Sequence, residues 1–543
     1  MDLTLLLVVV GALLLAAPAQ ASRFAFDRAF GTDVDAVAPG TGYEVCTVAA
    51  NCKGSLSGTL GGQFNTIRGM ATDAAGNTYV ADAGNRRIQK FDAAGNFVAA
   101  WGKDVVTGGG TGAEVCTVAA NCKAGVFGGL GGEFVDAEGV AVDPSGTTVY
   151  VADGSRVVKM SSSGSFQRMW GKDVLSGGST GPEICVVAAN CTPGNVSAQL
   201  GGEFNEAAGV AVAPDGDVIV GEGNGHRVQR FDSNGTFERA WGKDVVAGGG
   251  TGAEICTVAS SCKTGVGGAL GGEFGNPSVM AVGPAGDIYV GDYVNQRLNR
   301  FDATGNFIST WGQDVDAGGT TGPEICTTAS TCKASPGGFR AGAFSGGPEV
   351  ATDAAGNVYA GDSNRRIQQF DAAGNFLMTW GKAVDASVPG TGFEVCKVAP
   401  NCQNGFPGGL GGEMTRVAGV DVDGAGNVYV AEFDANRLQK FVPAPDPPPI
   451  VLPSNLFEIG RPIGIRLPVT VPGPGLIELS GRQLKPKDVE AGAAGTYRLR
   501  LKLTKPAKEK LKRKGRIKLN ASVAFTPTGG TENSLTKKLK LKR

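Results

Sequence analysis

Short apolar runs separated by Gly, Asn and Asp recur along most of the chain. In the first repeat they cover residues 69–73, 77–82, 87–91 and 96–101. The turn sequence Ala-Ala-Gly-Asn leads into the second and the fourth of these runs. Runs of this length bounded by turn residues predict β-strands, and four in succession predict an antiparallel meander.

Paired cysteines give the period of the repeat, because the first cysteine of each pair recurs after 70, 69, 71, 70 and 70 residues. One four-stranded meander cannot cover its own faces, so six units are expected to pack radially. Five units end in Trp-Gly, whereas the sixth stops at Phe441. A match between residues 28–34 and 239–245 supplies its missing strand. The sequence therefore predicts an all-β fold, a six-bladed β-propeller over residues 22–442 whose last blade is closed by the N-terminal strand.

Three strand sequences recur with variations in the six units: Gly-Val-Ala-Val-Asp, Val-Tyr-Val-Ala-Asp and Asn-x-Arg-Ile-Gln-x-Phe. They resemble the NHL repeat, and this resemblance implies a six-bladed propeller. Asp82 ends the second strand of the first unit and Arg87 opens the third, and both residues are expected to be structural. The carboxylate would tie the turn between the strands, and the Arg stem would pack between blades.

About thirty residues, longer than an ordinary loop, separate each Trp-Gly from the next unit, and all six insertions share Thr-Gly-x-Glu-(Val/Ile)-Cys. Thr-x-x-Glu before an apolar residue is a capping box, which predicts a short helix. Asn before the second cysteine, as at Asn121, indicates a left-handed cap that turns the chain back. We call the six insertions the crown, because a propeller places these loops on one face.

Twelve cysteines in six equal pairs indicate six disulfides in an oxidising compartment. Four-cysteine zinc clusters and bridges between neighbouring insertions are the alternatives that the sequence leaves open. The expected pairs are Cys46 with Cys52, Cys116 with Cys122, Cys185 with Cys191, Cys256 with Cys262, Cys326 with Cys332, and Cys396 with Cys402.

The two ends of the chain differ from the repeats. Residues 1–21 combine an apolar run with a small-x-small cleavage site and are expected to be a signal peptide, with a membrane anchor as the alternative. Residues 443–453 form a Pro-rich linker. Alternating apolar and charged positions in residues 454–543 predict a small β-sandwich, with a helix over 505–514 between Thr504 and Gly515. With its motifs Leu-Thr-Lys-Pro-Ala-Lys-x-x-Leu-Lys-Arg-Lys-Gly and Phe-Thr-Pro-Thr-Gly-Gly, this domain resembles the immunoglobulin-like tail modules of bacterial surface proteins.

Charge divides the chain in the same place. Residues 447–543 hold 21 basic and 6 acidic residues, whereas the remaining 446 residues hold 29 basic and 45 acidic residues. A basic tail domain favours anionic partners such as cell-wall polymers or lipid headgroups, although a merely solvated face is an equal alternative. Specific nucleic-acid binding is not expected, since aromatic residues are almost absent from this domain.

Residues that differ between blades are the best candidates for ligand recognition, because few ligands have sixfold symmetry. Such residues stand just before the innermost strands and are expected to surround the channel mouth on the crown side, either as a polar ligand site or as a set of mutual salt bridges. The only histidine, His226, makes histidine-based catalysis improbable. The candidate residues are Arg68, Asp136, Glu138, Glu206, Asn276, Glu349 and Arg416.

These features predict a secreted or cell-envelope protein that acts as a monomeric binding scaffold. Its crown face would recognise an extracellular protein or glycan. No cofactor is expected, except that the repeated acids of the crown leave Ca²⁺ open. The alternative is a Ca²⁺-dependent hydrolase or lyase at the channel mouth, as the likeness to gluconolactonase-like hydrolases and peptidylglycine amidating lyases implies. That lyase family uses several histidines, which this chain lacks, and an acidic, exported propeller argues against the RNA binding of intracellular NHL propellers.

Overall fold

The computed structural model describes residues 23–37, 40, 42–196, 199–387, 392–444, 457–458, 466–471, 475–492, 495–527 and 533–542. The predicted signal peptide, residues 1–21, lies outside the described residues. Of the predicted linker only residues 443 and 444 are described, and they continue the last strand of the propeller. Among the described residues, no helix is long and apolar enough to cross a membrane.

Six antiparallel sheets of five strands form the blades. Blade 1 begins at residue 67, and blade 6 combines residues 417–444 with the N-terminal strand. The first, innermost strands are Ile67–Thr72, Ala137–Val142, Ala207–Val212, Pro277–Val282, Glu349–Thr352 and Val417–Val422. The second strands are Thr78–Asp82, Thr148–Asp153, Val218–Glu222, Ile288–Asp292, Val358–Gly361 and Val428–Glu432.

The outer strands follow in the same order from blade 1 to blade 6. The third strands are Arg87–Phe91, Arg156–Ser161, Arg227–Phe231, Arg297–Phe301, Arg366–Phe370 and Arg437–Ala444. The fourth strands are Phe97–Lys103, Phe166–Lys172, Phe237–Lys243, Phe307–Gln313, Phe376–Lys382 and Arg23–Thr32. The fifth strands are Ala113–Cys116, Pro182–Cys185, Ala253–Cys256, Pro323–Cys326, Phe393–Cys396 and Tyr43–Cys46.

The N-terminal strand closes the ring as the sequence predicts. Arg23–Thr32 pairs antiparallel with Arg437–Ala444, from Arg23 opposite Ala444 to Gly31 opposite Arg437. Blade 6 therefore joins the two ends of the propeller through a full strand pairing. Because the ring is closed in this way, no blade stands at an open end of the propeller.

The helix predicted from the capping box is wrong, because the shared Thr-Gly-x-Glu segment forms the fifth strand instead. In blade 1, Trp101 pairs with Val115 and Gly102 with Glu114. The edge of the fourth strand offers unpaired backbone groups, and a short isolated helix cannot compete with this pairing. The Glu114 carboxylate accepts a hydrogen bond from the Val106 N–H at 2.9 Å. It therefore fixes a turn of the crown and not a helix end.

The predicted left-handed cap at Asn121 is also wrong. Asn121 ends a 3₁₀ turn, Ala119–Asn121, and Cys122 continues in an extended conformation. This turn brings the two cysteines of the pair together, with 5.6 Å between their Cα atoms. Equivalent 3₁₀ turns are Ala49–Asn51, Ala188–Asn190, Ala259–Ser261 and Ala399–Asn401, and a further one, Ala83–Asn85, links the second and third strands of blade 1.

All six expected disulfides are formed, each within one insertion and not between neighbouring insertions. Each is buried beside a valine of its own insertion. In the insertion after blade 1, the disulfide forms a small apolar cluster with Val105, against which Phe97 and Val106 pack. The insertions thus have a small core of their own, and the disulfide is part of that core. The bonded pairs are Cys46 with Cys52, Cys116 with Cys122, Cys185 with Cys191, Cys256 with Cys262, Cys326 with Cys332, and Cys396 with Cys402.

Within the described ranges, aromatic contacts join five of the six pairs of neighbouring blades, and the exception is the pair of blades 1 and 2, since the third strand of blade 2 carries Met160 where the others carry Phe. The Trp of the fourth strand packs against the Phe that closes the third strand of the following blade, with 5.9 Å between the ring centroids of Trp170 and Phe231. Phe30 takes the place of this Trp in blade 6 and lies 5.5 Å from Phe91. The five tryptophans are almost fully buried: Trp101, Trp170, Trp241, Trp311 and Trp380.

A buried arginine opens the third strand of every blade and holds the crown in place. Arg87 is fully buried and pairs with Asp82 at 2.9 Å. Its guanidinium also donates to carbonyls of two successive insertions, Thr59, Leu60 and Gln63 on one side and Lys123 on the other. The structural role predicted for Asp82 and Arg87 is thus confirmed. The contacts that hold the insertions are made by the Arg87 guanidinium, whereas the prediction assigns the role of Arg87 to its aliphatic stem. The equivalent residues are Arg156, Arg227, Arg297, Arg366 and Arg437.

The described residues of the C-terminal domain form β-sheets and one helix. A five-stranded sheet contains Phe457–Glu458, Gly475–Ser480, Lys487–Ala491, Arg516–Pro527 and Asn533–Lys542, and a two-stranded sheet pairs Arg466–Val471 with Gly495–Arg500. The helix spans Lys505–Lys514 and ends at Gly515 with a φ of 63°, as predicted. Leu467, Leu499 and Ile517 belong to one buried cluster, which confirms the predicted alternation.

We expect Arg437→Met to lower the free energy of unfolding by about 3–5 kcal/mol, because it leaves the buried Glu432 carboxylate without its cation. The pair is 2.6 Å apart, and Arg437 also donates to the Lys53 carbonyl across the closure of the ring. Arg416→Met on the same blade is the control, since Arg416 is 44% exposed and should cost less than about 1 kcal/mol. Urea unfolding measures both values, and equal losses would contradict the assigned role.

Candidate functional site

The first strands surround a central channel that contains two cavities. Six apolar side chains, one from each blade and each 4–7% exposed, line both cavities and lie between them. The cavity on the crown side has a volume of about 60 Å³, and the one at the opposite end has about 350 Å³. We call these six side chains the collar: Met70, Val140, Val210, Met280, Val350 and Val420.

Three of the predicted site residues contact each other at the crown-side cavity. Arg68 of blade 1 forms an ion pair and a hydrogen bond with Glu138 of blade 2, and its Nη1 lies 3.6 Å from the Asp136 carboxylate. Burial raises the pKa of Glu138 to about 7; Arg68 opposes this shift, whereas Asp136 and Glu206 reinforce it. The mutual salt bridge that the sequence left open is therefore present on this side of the mouth.

Glu349, on the first strand of blade 5, lines the crown-side cavity. Burial raises the pKa of Glu349 to about 8, against the opposing charge of Arg416. The Arg416 guanidinium stacks on the Phe433 ring at 3.6 Å and lies 3.9 Å from the Asp434 carboxylate. This side of the mouth thus combines a carboxyl group that is mostly protonated at neutral pH with a cation held on an aromatic ring.

Glu206 and Asn276 lie at a third part of the mouth, next to Gly223. A Cβ atom at Gly223 would be 2.7 Å from the Glu206 Oε2 and 3.0 Å from the Asn276 Nδ2. Glu206 has a φ of 66°, in the left-handed region, and the Asn276 N–H donates to Asp292 at 2.9 Å. The seven predicted residues are therefore distributed around the mouth, and ion pairs join Arg68 to Asp136 and Glu138.

The repeated acids of the crown have protein partners. Asp104, which follows the fourth strand of blade 1, forms an ion pair with Lys123 at 2.8 Å. Glu133 lies next to Lys103 at 3.4 Å and accepts a hydrogen bond from Leu130. Among the described residues, no group of three or more His, Cys, Asp or Glu side chains is arranged to hold a metal ion. The described residues of the crown and of the channel mouth therefore provide no ligand set for the Ca²⁺ site that the sequence left open.

His226 is half-buried in the turn before the third strand of blade 3. Its Nδ1 lies 2.7 Å from the Gly275 carbonyl oxygen, and its φ is 47°. The residue thus fixes a contact between neighbouring blades, which is a structural task.

Sequence reasoning missed three features of the molecule, two of which lie in the channel. The larger cavity at the end opposite the crown was one, and Asp421 in its wall was the other. The comparison between blades that selected the channel-mouth residues could have found Asp421, because the other five blades carry Ala at this position. Those residues are Ala71, Ala141, Ala211, Ala281 and Ala351.

A third feature was not anticipated, because exposure depends on the folded structure. All but four of the large apolar side chains that are exposed in the described part of the chain belong to the crown. The exceptions are Val98, Tyr293, Val294 and Leu476, of which Tyr293 and Val294 stand in the turn between the second and third strands of blade 4.

Comparisons with known proteins agree with this architecture. Residues 204–231, which contain the first three strands of blade 3, match the NHL repeat family. The match covers one repeat, and strands at the equivalent positions recur in all six blades of the propeller. No curated protein matches the chain.

Solved structures with similar architecture have low sequence identity. A gluconolactonase from Xanthomonas campestris is 12% identical, with a TM-score of 0.33, and the match covers 78% of this chain and 99% of that one. A streptogramin B lyase is 9% identical, with a TM-score of 0.33, and the match covers 72% of this chain and 96% of that one. Hydrazine synthase of Kuenenia stuttgartiensis is 9% identical, with a TM-score of 0.34, and the match covers 71% of this chain and 96% of that one. None of these similarities assigns an activity to the chain.

The raised pKa values at the channel mouth predict a pH-dependent stability. Glu138 and Glu349 have pKa values of about 7 and 8 in the folded protein, against 4.5 for an unperturbed glutamate. The unfolded chain therefore loses these protons first as the pH rises, so the free energy of unfolding should fall between about pH 4.5 and 8. Glu349→Gln stays neutral and should make this fall shallower.

Urea unfolding at several pH values measures this effect. Glu138→Gln is the matched comparison. The decrease in the free energy of unfolding that Glu138 causes should be complete near pH 7, and the decrease that Glu349 causes should be complete near pH 8. If Glu349→Gln has the same pH dependence as the unchanged protein, the Glu349 carboxyl group is not buried in solution.

Proposed function

We propose that the chain is a binding scaffold of an oxidising extracellular compartment that recognises a protein or glycan through its crown. The propeller fold supports a binding scaffold in general. The observation that carries the proposal is the concentration of exposed apolar side chains in the crown. Exposed apolar surface that gathers in one region is typical of interaction sites, whereas scattered apolar residues need no explanation.

The crown is suited to recognition because its loops are held in fixed positions. Arg87 and four of its five equivalents, all except Arg227, donate to carbonyls of two successive insertions, and each insertion contains a disulfide. Neighbouring insertions also contact each other, since the Gly61 N–H donates to the Ala119 carbonyl at 2.9 Å. A Cβ atom at position 61 would lie 2.6 Å from the Ala119 Cα, so this contact requires glycine. Preorganised loops lose little entropy on binding, which favours affinity.

The bonding state of the cysteines supports the proposed oxidising compartment. Six disulfides among the described residues, with no free cysteine there, suggest an oxidising environment. A secreted or cell-envelope location agrees with this chemistry. Removal of residues 1–21 during export remains part of the proposal.

The basic C-terminal domain would attach the scaffold to an anionic surface. Its helix buries Ala507 and Leu511 and exposes every basic residue. The exposed basic residues of the helix are Lys505, Lys508, Lys510, Lys512, Arg513 and Lys514. Such a face attracts cell-wall polymers or acidic lipid headgroups at low ionic strength.

The enzyme alternative receives less support. A Ca²⁺-dependent hydrolase at the channel mouth would need several free carboxylates, but Asp136 and Glu138 are engaged by Arg68. Glu349 is mostly protonated at neutral pH, since its pKa is raised by burial to about 8. The crown-side cavity of about 60 Å³ is also small for a substrate.

Substitution of exposed crown residues should abolish ligand binding without affecting the fold. Val118→Ser and Phe127→Ser, combined in one variant, remove side chains that are 56% and 55% exposed. We expect at least a tenfold loss of binding to the ligand that the unchanged protein selects from arrays of extracellular glycans and matrix proteins. Val98→Ser is the control, because Val98 is 40% exposed but lies outside the crown. Equal binding by the crown variant and the control would refute the crown as the recognition surface.

The tail domain should bind anionic membranes in a salt-dependent way. We expect the full chain to bind phosphatidylglycerol vesicles but not phosphatidylcholine vesicles, with affinity that falls as NaCl rises. Lys508→Gln, Lys510→Gln and Lys512→Gln together should weaken this binding at least fivefold. The control removes three charges from the propeller, at Lys123, Lys263 and Lys333, each of which is paired with an aspartate. Similar losses in both variants would show that only net charge matters.

A further inference from the structure

The larger channel cavity lies at the end of the propeller opposite the crown. Its walls are the ends of the first strands and the turns that follow them, and its floor is the collar of six apolar side chains. At about 350 Å³ it has room for a small organic molecule. The crown-side candidate site is on the other side of the collar, so this cavity is a separate place for a ligand.

Charge is distributed unevenly around this cavity. Blades 5, 6, 1 and 2 each place an aspartate in its wall at the start of the turn, whereas blades 3 and 4 contribute Val212 and Val282 with the alanines before them. The described residues that line it include no basic one. The wall is therefore acidic along four blades and apolar along two. The four turn aspartates are Asp73, Asp143, Asp353 and Asp423.

The turn aspartates are held by their own turns. Asp73 accepts hydrogen bonds from the Ala75 and Asn77 N–H groups and from the Asn77 side chain, at 2.8–3.0 Å. Asp353 and Asp423 have the same arrangement. These carboxylates make the cavity electronegative without being its specific binding group.

Asp421 is the group that breaks the symmetry of the wall. It stands on the first strand of blade 6, where the other five blades carry Ala. Its carboxylate accepts hydrogen bonds from the Thr72 N–H of blade 1 and from the Val422 N–H. Burial raises the pKa of Asp421 to about 7, and the nearby Asp423 charge adds to this shift. Asp421 is half-buried by accessible surface, and its charged form is disfavoured there unless a cation accompanies it.

The Thr72 hydroxyl gives an independent indication of a ligand. Thr72 lines the same cavity, is 7% exposed, and its N–H already binds Asp421. Its Oγ1 is buried and has no hydrogen-bond partner among the described residues. The equivalent Thr352 of blade 5 donates its hydroxyl to the Val282 carbonyl at 3.0 Å. An acceptor is thus left free beside the one carboxylate that has no counterpart in the other blades.

We propose that this cavity binds a small organic cation, an ammonium group on an apolar body, with the ammonium group between Asp421 and Thr72 and the apolar body against blades 3 and 4. An ammonium group has three donors, which suit two carboxylate oxygens and a hydroxyl oxygen. The collar and the valines of blades 3 and 4 provide the apolar contact. A bare divalent metal ion fits less well, because it needs about six oxygen ligands and no such cluster exists among the described residues.

Cyclohexylamine is a suitable probe, since it is protonated at pH 7 and has an apolar ring, and cyclohexanol is its neutral counterpart. Isothermal titration calorimetry with the full chain should show one cyclohexylamine site per chain and at least tenfold weaker binding of cyclohexanol. Asp421→Ala should weaken cyclohexylamine binding at least tenfold. This variant restores the residue found in the other five blades, so it is expected to fold, and Asp421→Asn provides a second variant of nearly equal shape.

Asp215→Asn is the matched control. Asp215 belongs to the corresponding turn of blade 3, is 57% exposed and does not line the cavity, and its partner Arg230 keeps Asp217 at 2.6 Å. Its affinity for cyclohexylamine should stay within twofold of the unchanged protein.

Three results would overturn the proposal. They are the absence of cyclohexylamine binding, equal affinities for cyclohexylamine and cyclohexanol, and full binding by both Asp421 variants. Calcium chloride titrated in the same way tests an inorganic cation. Calcium binding that depends on Asp421 and displaces cyclohexylamine would replace the organic cation by a metal ion.

Discussion

Each blade depends on an arginine that is buried without access to water. A buried guanidinium is costly unless its donors are satisfied, and in blade 1 they reach Asp82 at the end of the second strand and carbonyls of two successive crown insertions. The cation therefore fixes loops that have little apolar core of their own. In blade 6 the same arginine reaches Lys53, so the closure of the ring and the order of the crown rest on one kind of interaction.

The repeats provide a rigid frame, and the exceptions to the repeat provide the candidate sites for specific recognition. Two sets of exceptions lie at opposite ends of the channel. On the crown side, Arg68 of blade 1 binds carboxylates of blade 2, which partly neutralises the mouth. At the other end, Asp421 stands in a ring of alanines beside the Thr72 hydroxyl, which has no hydrogen-bond partner in the described part of the chain. The collar between them keeps the two environments apart.

The outer surfaces of the molecule differ as much as the two ends of the channel. The crown combines fixed backbone with exposed apolar side chains, which suits recognition of a partner with a defined shape. The C-terminal helix exposes only polar and charged residues apart from Pro506, and this suits association with a surface of opposite charge. Under the proposed function, shape-based and charge-based binding therefore belong to different parts of the chain.

Local patterns in the sequence determined the number of blades, the strand order, the closure by the N-terminal strand, the cysteine pairs and the tail helix over 505–514. Turn residues, strand period and Gly515 act over a few neighbours, so the sequence alone reveals them. Only the tertiary structure decided that the segment around Glu114 forms a fifth strand, because the competing edge lies in the preceding strand. It also decided which unrepeated residues meet, since Arg68 and Glu138 are 70 residues apart and Asp421 meets Thr72 across the closure of the ring.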